Sequence, residues 1–275
     1  MKTINSINNI PLHYARLTNH PYGTRGKQLN FSVDESFLTV LEAAFKEVFD
    51  NCPLGIPEVI TCGGIFVNKP GQHGHGSAFD LDAIFWHNQS LVTLNFVHQK
   101  QLYLGIESFL RKHFGIVLNF FYPNHKDHWH IDISVPVDFN ETSKSETLYV
   151  QLVLKYIYAE EVLIDGIWGN QTRMAVNNVF SKLQIETPIT TKNNYLKFLD
   201  ITGKIAFKLF EKTTTPIQLI DNLTDVIESL PLQNRNMVQE ALNSFLNHNE
   251  TSQWLNGFGS TIHDDLDSII ANVLA

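Results

Sequence analysis

The chain has 275 residues, 43% of them hydrophobic and 17% charged, with a formal net charge of −8 at pH 7. That length fits one large domain or two ordinary ones, and the apolar share is enough for a packed core. An acidic chain of this kind is not steered to nucleic acid or anionic membranes by its overall field, and no apolar run approaches the ~20 residues of a spanning helix.

Residues 1–31 read as polar and irregular, with His20-Pro21-Tyr22-Gly23-Thr24-Arg25-Gly26 as a loop. The first ten residues lack a charged region followed by a continuous apolar core, so no signal peptide is expected. Ser32-Val33-Asp34-Glu35 matches a capping box. After it, Phe37, Val40, Leu41, Ala44, Phe45, Val48 and Phe49 recur at helical spacing, which predicts an amphipathic helix to about Asp50. Pro53, Gly55 and Pro57 break it, and 58–62 read as a short strand. Cys52 and Cys62 are close in sequence and admit either a disulfide in an oxidising compartment or two thiols. A polar turn over 87–90 precedes a second helix over about 98–113, with Leu102, Ile106, Phe109 and Leu110 inward and Gly115 as its stop. Residues 116–121 read as a strand, 135–138 end the domain, and 140–146 form a polar linker.

Eight of the twelve histidines lie between His73 and Asp132, and such clustering is the sequence sign of a metal site. The stretch opens with His73-Gly74-His75-Gly76-Ser77-Ala78-Phe79-Asp80-Leu81-Asp82 and closes with His125-Lys126-Asp127-His128-Trp129-His130-Ile131-Asp132. Read as strands, in which alternate residues share a face, the second half points His128, His130 and Asp132 one way and Trp129, Ile131 and Ile133 the other. The first half buries Phe79, Leu81, Ala83 and Phe85 and turns Asp80 and Asp82 to the opposite face. His73 precedes them in a glycine-rich loop. Two such strands bring His73, Asp80 and His130 together, a three-ligand zinc site with an open fourth position for water. In a regular strand Asp127 lies opposite His130; it reaches the site if the strand begins at His128 and Asp127 belongs to the preceding turn, which Pro123 and Asn124 favour.

His73, Gly76, Ala78 and Asp80 resemble the His-x-x-Gly-x-Ala-x-Asp signature of the LAS metallopeptidases. That group includes D-Ala-D-Ala carboxypeptidases, peptidoglycan endopeptidases and extensin-like C-terminal domain proteins. His128-Trp129-His130 resembles their second motif, with an acid three residues before the last histidine, and the resemblance covers about residues 30–135. It implies zinc held by His73, Asp80 and His130, Asp127 as general base, and His125 or His128 polarising the carbonyl or stabilising the oxyanion. Many of these peptidases also carry an upstream Arg or Gln that touches the substrate. Lys69 and the more distant Arg25 are the candidates for that contact, with His75 as a further one.

A second unit follows. Val150, Leu152, Val153, Ile157 and Tyr158 suit a helix. Asp165-Gly166-Ile167-Trp168-Gly169-Asn170-Gln171-Thr172 then reads as a tight turn, a buried aromatic and a helix capped by Asn170. With Ala175 and Val176, this stretch resembles the three-helix peptidoglycan-binding domain, without the Phe-Gln that usually follows. The expected fold is α+β, a small mostly antiparallel sheet with helices over 1–138. An all-α C-terminal region follows, with a peptidoglycan-binding-like domain over 146–187 and a helical tail over 190–275. In that tail, 217–230 suit one helix and Met237, Ala241, Leu242, Phe245 and Leu246 another; His248 and His263 are isolated.

The function these readings suggest is hydrolysis of peptide bonds in bacterial peptidoglycan, as a carboxypeptidase or an endopeptidase. The partner is the wall itself, with no nucleic acid and no membrane insertion, and the C-terminal helices are available for a delivery or immunity partner. Action at the wall without a signal peptide implies release by phage lysis or a specialised secretion system. Two other classes compete: a non-catalytic wall-binding protein with a structural zinc, and a non-haem iron oxygenase built from His130-x-Asp132.

Overall fold

In a computed structural model the described residues are 1–229, 266 and 269–274, with backbone alone over 213–229. The chain divides into two compact units, 1–207 and 208–275. The first is mixed α/β. In its main sheet, strands β2 (Ser6–Ile7), β3 (Ile10–Tyr14), β6 (Val59–Gly64), β7 (Ala78–Phe85), β10 (Trp129–Asp132) and β9 (Ile116–Leu118) lie in that order. A short β4 (Lys27–Gln28) pairs with β3, and β8 (Ser90–Val92) pairs with the end of β7 beyond β10. A separate two-stranded ribbon joins β1 (Lys2–Ile4) to β5 (Phe31–Val33).

The sheet is larger than the sequence suggested, and it is mixed, because β3 runs parallel to β6 with Leu12 opposite Ile60. The first 31 residues, read as irregular, supply much of the difference. Their strands are short and carry Pro11, so no long alternating run announces them. Asn8 and Asn9 form the β2–β3 turn with φ of 50° and 66°, the left-handed pair that a two-residue hairpin needs.

Helix α1 (Glu35–Asn51) follows the expected apolar stripe, burying Phe37, Leu41, Ala44, Phe45, Val48 and Phe49. Its cap is Asp34, not Ser32: the Asp34 carboxylate accepts from the backbone of Ser36 and Phe37. Phe45 meets Phe79 of β7 edge-on at 5.8 Å, so the helix packs against the strand that carries Asp80. A fully buried Phe of this kind stabilises by about 1.5–3 kcal/mol relative to exposure. Helix α3 (Lys100–Arg111) is preceded by a 3-10 segment (Thr93–His98) and ends ahead of Gly115. Its Tyr103 ring lies 4.0 Å from that of Trp129 on β10.

Beyond β10 the described elements are helices. Ser143 caps α4 (Lys144–Tyr156) by accepting from the Glu146 backbone, so the end of the expected linker is already the first helical turn. In α5 (Asn170–Lys182) the cap is Gly169, whose backbone is extended, and Asn170 is already the first helical residue; no side chain bonds the free amides there. The Asp165–Gly166 turn is held by the buried Gln151, whose Oε1 accepts from both backbone amides and whose Nε2 donates to Asp165 Oδ1 at 2.8 Å. Trp168 is half-buried against Phe139, with ring centroids 4.8 Å apart. Helix α6 (Lys192–Ser229) lays Phe207 on Phe109 of α3, the rings stacked at 5.7 Å.

The second unit holds the end of α6 and a further helical turn over 269–274, with Leu266, Ile269 and Ile270 buried. Of the expected tail helices, 217–229 fall within α6. The segment around Met237 to Leu246, His248 and His263 lie outside the described residues. Among the described residues no helix is long and apolar enough to cross a membrane. Cys52 and Cys62 are both buried and not joined in a disulfide.

Candidate metal centre

Two antiparallel strands set the centre. In the β7–β10 ladder His130 stands directly opposite Asp80, with Trp129 opposite Leu81. Trp129 and Ile131 are buried, and His130 faces the other way, as the alternation predicts. His73 arrives from α2 (Gln72–His75), a single turn where the sequence suggested a loop. Its close fold-back depends on Gly74, since a Cβ there would stand 2.0 Å from the Lys69 carbonyl oxygen.

Three donor atoms converge. His73 Nε2 lies 3.1 Å from Asp80 Oδ1 and 3.2 Å from His130 Nδ1, and His130 Nδ1 lies 3.0 Å from Asp80 Oδ1. Donors about 2.0–2.2 Å from a tetrahedral zinc ion would stand about 3.3 Å apart, so the triangle has the right size. The tautomers agree. His73 Nδ1 donates to the Ile65 carbonyl at 2.7 Å, which leaves the Nε2 lone pair facing inward. His130 Nε2 donates to Asp132 Oδ2 at 3.1 Å, which leaves Nδ1 facing inward. Asp132 is itself fixed by the Ser134 amide and hydroxyl. Such hydrogen bonds on the outer nitrogens orient metal-bound histidines. These three residues form a group that could hold a metal ion.

The electrostatics call for a positive charge at the same spot. Burial pushes Asp80 up, but the His130 and His73 imidazoles beside it outweigh that and leave the carboxyl well below its ordinary value. Burial lowers His130, yet the Asp132 and Asp80 carboxylates raise it to about 9. In these side chains a proton or a metal ion would meet that demand. Two imidazoles and a carboxylate form the donor set of catalytic zinc sites, so the residues fit zinc.

The open side carries the remaining motif residues. Asp127 lies in the turn before β10, where it escapes the strand alternation. Its Oδ1 accepts from His128 Nδ1 at 2.8 Å, and His128 Nε2 then stands 3.8 Å from Asp80 Oδ1. Burial raises Asp127, but His128 and Arg16 more than compensate and keep it below the usual carboxylate range. His125 donates through Nδ1 to the Pro123 carbonyl at 2.7 Å, and its ring lies 4.9 Å from His128 and 6.0 Å from His130. Burial holds His125 below the ordinary imidazole value, towards the neutral form.

The expected substrate contacts fare differently. Arg25 is not at the centre: it pairs with Glu58 at 2.6 Å and donates to the Trp86 carbonyl at 2.7 Å. Trp86 follows the far end of β7, six residues or about 20 Å of strand from Asp80. Lys69 lies on the exposed loop before α2, and His75 is exposed at the end of α2. The arginine that does reach the centre is Arg16, which the motifs gave no means of finding. It follows β3, and its Nε and Nη2 donate to Asp82 at 3.0 and 2.7 Å while Nη1 lies 3.1 Å from Asp127 Oδ2. The Ile10 and Leu12 alternation marks the strand that ends before it but not its role. Asp132 sits behind His130 on its outer nitrogen, outside the donor triangle, which disfavours the His130-x-Asp132 oxygenase triad.

No protein-family model matches the chain, and no curated protein or solved structure matches it.

Proposed function

We propose that the chain is a zinc-dependent peptidase that hydrolyses peptide bonds of bacterial peptidoglycan, in the stem or the crossbridge. The observation that carries the reading is the convergence of three lone pairs from His73, Asp80 and His130 beside the Asp127–His128 pair on their open side. Zinc bound there would lower the pKa of a coordinated water towards ~7 and polarise a carbonyl. Asp127 has one oxygen on His128 and one beside Arg16, and each keeps a second lone pair for a proton. It takes the water proton as the water adds to the carbonyl carbon. It returns that proton to the amine as the C–N bond breaks. Asp127 holds His128 through Nδ1, which turns His128 Nε2 towards the centre, where it would face the oxyanion. His125, pinned by Pro123, walls the same side with an apolar ring face.

The peptidoglycan assignment draws on the resemblance of the two motifs to the LAS peptidases, and on the Asp165–Thr172 stretch that resembles a wall-binding module. It is tested by digesting purified peptidoglycan with the zinc-loaded protein and reading released muropeptides by mass spectrometry. New termini that vanish with Asp127→Ala and with a chelator are expected, and they name the bond. Zinc bound at one equivalent with no stem or crossbridge peptide cleaved would defeat the peptidase reading and leave a wall-binding protein with a structural zinc.

A further inference from the structure

We propose that Asp82 and Arg16 form a positioning device for Asp127, and that Arg16 is not the site's receptor for a substrate carboxylate. The inference rests on the peptidase reading and names how its base is held. Asp82 is fully buried on β7, two residues past Asp80, and so lies beneath the same face of the strand. It grips Arg16 through both carboxylate oxygens, at 3.0 and 2.7 Å. Two parallel bonds from a planar guanidinium fix its orientation as well as its distance. The third nitrogen of the fork is thereby aimed at Asp127, 3.1 Å away.

The pocket is built for this pair. A Cβ on Gly63 of β6 would stand 3.0 Å from Asp82 Oδ1 and 3.1 Å from Arg16 Nη2, so only glycine leaves the guanidinium its full room. Thr93 adds a hydroxyl bond to the Asp82 carbonyl at 3.0 Å, tying that point of β7 to the following segment. The Arg16 guanidinium also lies 5.6 Å from the Tyr22 ring centroid, and Tyr22 bonds Thr93 at 2.8 Å. The guanidinium is thus held by groups from β7 and the β3–β4 loop, with Gly63 of β6 leaving it room.

Arg16 has one positive charge, and two carboxylates already share it. Three of its five N–H groups are committed to them, so an incoming carboxylate meets a charge that is already offset twice. A substrate's terminal carboxylate is therefore not what Arg16 reads. Its part is to hold Asp127 Oδ2 while His128 holds Oδ1, which fixes the carboxylate from both of its oxygens. Arg16 and Asp82 act through Asp127 and are positioning residues.

The test uses the full-length zinc-loaded protein as wild type, Arg16→Gln, Arg16→Lys, Asp82→Asn and the double variant Arg16→Gln/Asp82→Asn, with steady-state kinetics on the bond cleaved in peptidoglycan. Misplacing a catalytic group by about 1 Å costs on the order of 100-fold in rate. We expect Arg16→Gln and Asp82→Asn each to lower kcat by about that factor with KM within twofold. The double variant should be no slower than Arg16→Gln, and Arg16→Lys should recover little, because an ammonium cannot make the two parallel bonds. Zinc affinity should stay unchanged, since neither residue touches a ligand nitrogen.

A KM that rises with kcat intact would overturn the proposal and make Arg16 a substrate contact, as would a double variant slower than either single by the product of their losses. If Asp82→Asn fails to fold, the double variant removes the unpaired charge and carries the comparison with Arg16→Gln. If the wild type cleaves nothing, the peptidase reading fails, and the device is then read by nitrogen NMR of Arg16. A slowly exchanging Nε–H that Asp82→Asn releases supports it, and an Nε–H exchanging like free arginine overturns it.

Discussion

At the scale of single residues, the centre is decided by which nitrogen each histidine turns inward. His73 and His130 use different nitrogens, Nε2 and Nδ1, because their outer partners differ: a carbonyl for one and the Asp132 carboxylate for the other. The sequence places Asp132 on the same face as His130, but only coordinates show that it lies behind the ring and not beside the ligands. That distinction yields a prediction. Asp132→Ala should leave the donor triangle intact but free the His130 ring to turn, weakening zinc about 10–100-fold. Competition against a zinc-sensitive dye measures it. A loss comparable to that of Asp80→Ala would mean that Asp132 is itself a ligand. The same scale shows what the motif could not carry. His73, Asp80 and His130 were legible because a spacing names them, whereas Arg16 stands 57 residues before the first ligand and belongs to no spacing.

At the scale of elements, the ligand strand is held from behind by charge as well as by apolar packing. Glu107 of α3 is fully buried. It accepts from Arg111 Nε at 2.9 Å, from Asn119 at 2.9 Å and from Trp129 Nε1 at 3.2 Å. Trp129 separates His128 from His130, so this bond fixes the strand's rotation. Glu107→Ala would leave the buried Arg111 charge unpaired, a loss of about 3–5 kcal/mol. Urea denaturation measures it, and a loss below about 1 kcal/mol would mean that water replaces the carboxylate.

A second cluster joins α1, α3 and α6 near the surface. Lys112 bonds Glu47 and reaches Asp200 at 2.7 Å, and His113 bonds Glu47 at 2.5 Å. Burial raises Glu47 and Asp200, but the hydrogen bonds from Lys112 outweigh it and leave both lowered. Burial lowers Lys112, and the two carboxylates more than restore it. Lowered carboxylates add stability above their ordinary values of 4.5 and 3.8 that is lost as the pH falls through the folded values. The raised Lys112 adds stability below its ordinary 10.5 that is lost as the pH rises past the folded value. Lys112→Ala should therefore cost on the order of 1 kcal/mol near neutrality. The difference should shrink at either extreme. Denaturation midpoints across pH check this, and a constant difference would assign the effect to the Lys112 stem over the Phe109 ring. The apolar period marks α1 and α3, and of α6 only the part from residue 217 on. The β2–β3 hairpin was not legible, because Asn8-Asn9 is its only strong turn signal and its strands are too short to show a period.

At the scale of the whole molecule, every group assigned to the chemistry lies within the first unit, between Arg16 and Asp132. How much of that unit the centre needs can be argued from packing. The first part of α6 buries Tyr195, Phe198, Leu199 and Phe207. Phe198 meets Phe180 at 5.4 Å and Tyr158 at 6.2 Å, and Phe207 stacks on Phe109 of α3. Since α3 also carries Glu107, which fixes Trp129, the ligand strand rests on packing completed by a helix more than 60 residues downstream. The stretch over 146–187 belongs to the same compact unit as the sheet, and its helix α4 is buried along most of its length. A chain ending after residue 212 should therefore bind one zinc with unchanged affinity and unfold in one transition. A chain ending at residue 190 should lose the aromatic packing on α3 and melt well below it. Zinc titration and calorimetry on the two chains decide the matter. Equal stability would show that α6 is dispensable to the metal centre, and loss of zinc from the longer chain would show that the centre draws on the second unit.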